Sequence, residues 1–468
     1  MAKYYITTPI YYINDVPHIG HAYTTIAADV LARYHRAKGD DVFFLTGTDE
    51  HGAKIAEAAE KNGKTPKEFA DFLVPKFQEA WKKLNISYDQ FFRTTDPEHE
   101  KLVQEFVQKL KDNGFVEKRK YEGLYCVGCE KFLKESELVD GMCPDHKKAP
   151  VKQTEENYFF KLSQFGDQLL KKIESGEIEI GPEGRKNEII GKIKQGLEDV
   201  SISRQAVEWG VRFPGDETQT IYVWIDALLN YYTATKMYNK EDFWPANLHL
   251  MAKDILWFHA VIWPAMLLAA GIEPAKKVFA HGFFTVNGGK MSKTVGNVIN
   301  PNELVKKFGG ADAVRYALLR EFPFGEDGDI SEEKIGLSYN RLANNIGNLF
   351  QRTISMMNRY GVKAPNLKKS KIAVNKELEN LDFMGALKKI DEYAETLNQF
   401  IAEKEPWKMY KEGKDGEAAS VLLEVFDKLF PLVLAIEPFM PDTAKKMKSQ
   451  LESLKPEPLF PRLEESNN

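Results

Sequence analysis

The sequence is poor in cysteine, with three in 468 residues and all of them between positions 126 and 143. That distribution excludes the disulfide framework of a small secreted protein, whose cross-links must be spread over the fold they stabilise. Long hydrophobic runs are lacking as well. The best stretch, IWPAMLLAAG near 262–271, falls short of the roughly 18–20 residues that a bilayer-spanning helix needs. The amino terminus, MAKYYITTPIYYIN, lacks the basic-then-apolar layout of a signal peptide. No excess of one charge is present, since 64 Lys+Arg stand against 69 Asp+Glu for a net −5. Any nucleic-acid partner must therefore be met by a local basic surface and not by the field of the whole molecule. Internal repeats and low-complexity tracts are missing too, which excludes solenoids and disordered scaffolds. The expectation is a protein of the cytoplasm with no membrane partner.

What is there suits a multidomain enzyme. Hydrophobic residues are 43% and aromatics 12% of the chain, ample for real cores. At roughly 150 residues per domain the length predicts about three domains. The first 50 residues read strand, loop, helix, strand: YYITT at 4–8, a break from Pro9 through Pro17, a helix to Lys38, then DVFFLTGTDEHG at 41–52. The second apolar run shows no alternation, as a strand buried on both faces of a parallel sheet should not. Its end carries Asp49, Glu50 and His51, at the edge where open α/β sheets bind ligands. Segments 247–271 and 278–293 repeat the arrangement, so two βαβ-like halves flank a charged insertion at 115–220. After about 334 the pattern turns helical. Ile335, Tyr339, Leu342, Ile346 and Leu349 recur at steps of three and four, as on the buried stripe of a helix bundle.

Three motifs carry chemistry. Cys126-Val-Gly-Cys129 and Cys143-Pro-Asp-His146 offer three thiols and an imidazole in two knuckles, a ligand set suited to a closed, structural Zn²⁺ site. His18-Ile-Gly-His21 stands at a helix start, where unpaired N–H groups favour an anion. Gly20 lets a nucleotide come close. Gly288-Gly289-Lys290-Met291-Ser292-Lys293-Thr294 is a glycine-hinged loop with two lysines, point charges on flexible stems that can follow a phosphate. Its spacing is not that of a P-loop, which argues against an ordinary NTPase.

With HIGH at 18–21 and KMSKT at 290–294 in an α/β frame, the chain resembles the class I aminoacyl-tRNA synthetases. FLTGTDEHG, the cysteine knuckles, SISR at 201–204, YVWIDALLNYY at 222–232 and KDILWFHAVIWPAM at 253–266 narrow the resemblance to the methionyl-tRNA synthetase family, in a bacterial form with one Cys₃His lobe. Thr294 stands where that family usually has Ser; both keep a hydroxyl. The resemblance spans essentially the whole chain. It lacks the long extra insertion that would resemble the editing domain of the valine, isoleucine and leucine relatives.

The resemblance implies a Rossmann-like parallel-sheet catalytic domain split by a zinc-binding connective insertion, followed by an all-α anticodon-binding bundle. The expected divisions are 1–114 and 221–285 for the catalytic halves, 115–220 for the insertion, 286–334 for the lysine loop and linker, and 335–468 for the bundle. His18, Gly20, His21, Lys290, Ser292 and Lys293 would bind ATP, with the two histidines and two lysines catalytic. Asp49 would take the methionine ammonium, helped by the Ile10 carbonyl. Pro9, Ile10, Ala227, Leu228, Tyr231, Ile255, Phe258 and His259 would line the side-chain pocket, and Trp224 and Trp263 would close it. The Tyr231 hydroxyl and the Ile10 N–H are candidate donors to the thioether, a weak acceptor, so shape must carry much of the choice. Trp407, Asn344 and Arg352 would read the anticodon, with Asn340 and Asn345 as alternatives to Asn344. One structural Zn²⁺ on Cys126, Cys129, Cys143 and His146 is expected, together with Mg²⁺ on the pyrophosphate portion of ATP. The partners implied are elongator and initiator tRNA(Met), methionine and ATP. The chain is expected to act as a monomer, or as a homodimer if a further C-terminal domain is missing from it.

Overall fold

The computed structural model describes residues 1–126, 131–133, 135–144, 147–205, 207–286, 288–291, 297–365, 372–461 and 463. Its organising elements are β1 (Lys3–Tyr12), α1 (Ile19–Lys38), β2 (Asp41–Asp49), β3 (Gln90–Arg93), β4 (Glu179–Gly181), α2 (Val223–Met237), β5 (Leu248–Ala252) and β6 (Lys277–His281). The six strands pair in parallel in the order β3-β2-β1-β5-β6-β4. From β1 the chain winds outward through β2 and β3, then returns to lay β5 on the other side of β1. That reversal opens a crevice at the carboxyl ends of β1 and β5, the place where such Rossmann-like sheets take ligands.

Both faces of the sheet are covered, which explains the unbroken apolar runs. Ile6, Phe44, Leu248, Leu250 and Phe279 point to the side of α1. Their neighbours Tyr5, Phe43, Leu45, Met251 and Val278 point to the side of α2 and the helix Trp263–Ala269. Strand alternation is thus present in the structure although invisible as hydropathy, because both destinations are apolar.

The segment 115–220 does not stay apart from this sheet. It supplies β4, an edge strand, and otherwise forms a four-stranded antiparallel sheet built on the long pair Val116–Cys126 and Val151–Phe160. The expectation of a structural Zn²⁺ is corrected here. Among the described residues no group of three or more His, Cys, Asp or Glu side chains is placed to hold a metal ion. Cys126 and Cys143 are buried with Leu133 in a small apolar cluster, with Leu138 against it. Cys129 and His146 lie outside the described residues. Among the described residues this lobe is packed by β pairing and apolar contact.

The C-terminal region is helical, with Glu332–Leu342, Asn348–Arg359, Phe383–Lys404, Pro406–Lys411, Asp415–Ile436 and Pro441–Ser453 as its main elements. A π-helical turn, Ala343–Gly347, joins the first two. The bundle shares one continuous apolar cluster with α1 and its face of the sheet. Among the described residues no helix is long and apolar enough to cross a membrane.

Candidate active site

His18 caps α1. Its Nδ1 accepts the Gly20 N–H at 3.1 Å, while the His21 Nδ1 accepts the His18 N–H at 3.3 Å, so two imidazoles serve as a capping box. The rings stack with centroids 3.7 Å apart. A side-chain carbon on Gly20 would meet the His18 ring at 3.0 Å; glycine is what lets the imidazole fold over the helix start. Burial lowers His18 to about 4 and pushes His21 well below its usual range, the latter also through His18. Both rings are therefore neutral. Because each Nδ1 is an acceptor, the proton of each sits on Nε2, a donor at the positive end of α1.

The lysine segment adjoins this helix start. Thr285–Val286 pairs with Gly289–Lys290 in a hairpin. Gly288, at φ +75°, donates its N–H to Asp329 Oδ1 at 2.6 Å. Met291 Cε comes within 3.7 Å of where a Gly20 side chain would begin, and the Ile19 N–H donates to the Ile299 carbonyl at 3.0 Å. Ser292, Lys293 and Thr294 lie outside the described residues, and of Lys290 only the backbone is described.

Most of the residues expected to line the side-chain pocket meet in one apolar cluster, with Leu228, Tyr231 and Trp263 inside it and Ile10, Trp224, Ile255 and Phe258 packed against it. Pro9 and Ile10 lie late in β1, which ends at Tyr12, and Asp49 ends β2, buried. Trp224, Ala227, Leu228 and Tyr231 share one face of α2, by their spacing of three and four. Ile255, Phe258, His259 and Trp263 come from a turn and a π-helix, Phe258–Ile262, that runs into the next helix. Such π turns cluster at functional sites because they re-aim side chains. Trp224 stacks on Phe258 at 4.0 Å and 9°. Ile10, Trp224, Ile255 and Phe258 are half-buried and border the opening, whereas Tyr231, His259 and Trp263 are buried. Burial pushes the Tyr231 phenol up, with smaller contributions from Tyr11 and Asp49.

One expectation changes. His259 Nδ1 faces the Ile255 carbonyl at 3.0 Å and must donate to it; its Nε2 then accepts the Tyr231 O–H at 2.8 Å. The tyrosine proton is committed to histidine and not presented to a ligand. Burial keeps His259 neutral, lowered to about 4.

Several polar residues around the pocket escaped sequence reading. His51 and His99 both bond Asp226, at 2.8 and 2.9 Å. Arg93 makes two 2.8 Å bonds to the fully buried Glu50. Asp226 and His51 were visible as polar residues in apolar text, but His99 sits on a charged helix and signals nothing. In the bundle, the Arg352 guanidinium lies 4.7 Å over the Trp407 ring. Asn344 is exposed, roughly 12 Å along the axis from Arg352 at 1.5 Å per residue. Asn345 is buried, donating to the Asp391 carbonyl. Asn348, exposed and one turn from Arg352, is the nearer asparagine and was overlooked.

Comparison with known proteins adds the following. The family described as tRNA synthetases class I (M) matches residues 4–150 and 137–354. The chain is 47% identical over 470 residues to the methionine–tRNA ligase of Caldanaerobacter subterraneus subsp. tengcongensis, covering 96% of this chain and 74% of that one. It is 45% identical over 472 residues to the corresponding ligase of Thermotoga maritima, with coverage of 95% and 74%. Its structure is similar to Mycobacterium tuberculosis methionyl-tRNA synthetase in complex with methionyl-adenylate, at TM-score 0.92 and 37% identity over 99% of this chain and 100% of that one.

Proposed function

This chain belongs to the methionyl-tRNA synthetase family of class I, and from that premise we propose how its residues share the work. The reaction is methionine–tRNA ligation in two steps. A methionine carboxylate oxygen attacks the α-phosphate of ATP; the bond to the β-phosphate oxygen breaks, leaving methionyl-adenylate and pyrophosphate. A hydroxyl of the 3′-terminal adenosine of tRNA(Met), elongator or initiator, then attacks the activated carbonyl and AMP departs. Neither step needs a covalent enzyme intermediate, so alignment and charge stabilisation suffice.

His18 and His21 bind ATP phosphates through their Nε2–H groups, as neutral donors at a helix N-terminus. Lys290 and Lys293 bind the same phosphates as point charges, with Ser292 contributing its hydroxyl and Gly20 the room. The observation that carries this reading is the pairing of Met291 and Ile299 with the first residues of α1: the chain enters and leaves the lysine motif beside the two histidines. Asp49 takes the ammonium of methionine. Pro9, Ile10, Ala227, Leu228, Ile255 and Phe258 surround its side chain, with Tyr231, His259 and Trp263 beneath and Trp224 at the mouth. With the Tyr231 proton engaged by His259, selection rests on shape. A methylene is then worth only about 1–3 kcal/mol, and homocysteine should be activated measurably. In the bundle, Trp407 stacks on an anticodon base, with Arg352 and Asn348 or Asn344 beside it.

Amino-acid-dependent ATP–pyrophosphate exchange tests the reading. Over the twenty standard amino acids, methionine alone should drive rapid exchange; equal exchange with valine or cysteine would refute it.

A further inference from the structure

We propose that Trp209, His51 and Asp226 are positioning residues through which the 115–220 segment holds the methionine pocket in register. The inference rests on the reading of the pocket given above. Residues Asp49–Gly52 connect β2 to the helix Ala53–Lys61 and carry the carboxylate assigned to the ammonium. Each of them is tied from outside. The Ile13 N–H donates to the Asp49 carbonyl at 3.2 Å, and the Glu50 N–H donates to Thr94 Oγ1 at 2.9 Å. Trp209 then spans the turn. Its indole N–H donates to the Glu50 carbonyl at 2.6 Å, and its own carbonyl accepts the Gly52 N–H at 3.1 Å. One residue of the 115–220 segment thus closes both sides of His51, and its ring meets the imidazole edge-on at 5.2 Å and 65°.

His51 carries the connection onward. Its Nδ1 lies 2.8 Å from Asp226, buried in the first turn of α2, the helix that presents Trp224, Ala227, Leu228 and Tyr231. The other Asp226 oxygen bonds His99 Nε2 at 2.9 Å, and His99 Nδ1 is held by Thr233 at 2.8 Å. Glu100 faces His51 Nε2 at 3.5 Å, and Asp49 is the remaining charge it feels. Burial works against an imidazolium here, but these three carboxylates outweigh it and raise His51 to about 10. A charged His51 therefore bolts the end of β2 to the start of α2, and Trp209 is the clasp over the bolt. Movement of the 115–220 segment would shift Asp49 relative to Tyr231, whereas the ATP side, held by α1, lies outside this connection.

Two variants test it in the full chain by pyrophosphate exchange. Trp209→Phe keeps the ring on His51 and removes the N–H donor. It should raise the KM for methionine about five- to tenfold, with the KM for ATP and the urea midpoint unchanged. Asp226→Asn removes the charge partner, so His51 should titrate near neutrality and make the methionine KM vary between about pH 6 and 8, where the parent enzyme is flat. Methionine and ATP constants rising together in Trp209→Phe, or a flat profile in Asp226→Asn, would overturn the proposal. Asp49→Asn separates the two levels. If it leaves the methionine KM unaltered, the pocket reading falls and the inference with it; if it raises that KM while Trp209→Phe does not, only the inference falls.

Discussion

At the scale of the residue, a proton's position decides what a side chain offers. Tyr231 stands in the pocket as expected, yet its hydroxyl donates to His259 because His259 Nδ1 is spent on the Ile255 carbonyl. Tyr231→Phe would leave that buried Nε2 without a donor, a cost of about 1–3 kcal/mol. The expected result in pyrophosphate exchange is a methionine KM raised on the order of tenfold with kcat little changed; an unaltered KM would deny Tyr231 a place in the pocket. The buried histidines also set the acid response. His18, His259 and His281 are lowered to about 4, and His21 and His249 go well below 6.5, in each case chiefly by burial. Below 6.5 the unfolded chain takes up protons that the native rings refuse, so stability falls as pH drops from 6.5 toward 4. His51 acts oppositely: its contribution is full below 6.5 and is lost as pH rises toward 10. The free energy of unfolding in urea should decline between pH 6.5 and 5 by about 1 kcal/mol or more; a midpoint that rises on acidification would contradict the neutral rings. HIGH stood out in the sequence by residue type and spacing, whereas the pocket aromatics and Asp49 were named through the family resemblance. Tautomers and the partners of Asp226 could not be named, since they depend on groups distant in the chain.

At the scale of the element, periodicity served well. The stripe from Ile335 to Leu349 is buried as read. Between its halves the π turn Ala343–Gly347 inserts a residue's worth of rotation, about 100° at 3.6 residues per turn. The buried stripe runs through it unbroken, but Asn348, one turn from Arg352, was not among the asparagines read from the sequence. Trp407 needs no register, because Pro406 starts its short helix and Arg352 covers one ring face. Trp407→Ala should leave pyrophosphate exchange near normal and weaken tRNA charging by about 1–3 kcal/mol, the worth of a base stacked on an aromatic ring. Equal loss of both activities would remove Trp407 from anticodon reading.

At the scale of the whole molecule, the bundle and α1 are locked by one buried arginine. Arg315 is fully buried, bonds Asp29 of α1 at 2.6 Å, and donates to the carbonyls of Phe439, Pro438 and Leu84 at 2.7, 3.0 and 3.2 Å. Burial opposes charge on Asp29, but Arg315, Arg33 and Ser87 hold its carboxyl below the usual range. Arg315→Met would leave Asp29 with Arg33 and Ser87 only and take the donor from three carbonyls, so the free energy of unfolding should drop by about 3–5 kcal/mol. Urea unfolding measures this, and a loss under about 1 kcal/mol would mean that the lock carries little. Nothing in the text around Arg315 marks it, since its partners come from three separate stretches of chain. The sequence by itself determined the parallel sheet, the helical region and the motif residues, because these follow from local periodicity and residue chemistry, and the motifs in order carried the resemblance to the family. The tertiary structure alone decided that β4 joins the sheet from within 115–220, which groups neutralise Asp226 and Asp29, and where the Tyr231 proton points. Those outcomes are set by which buried polar groups meet across the fold, and no local pattern encodes such a meeting.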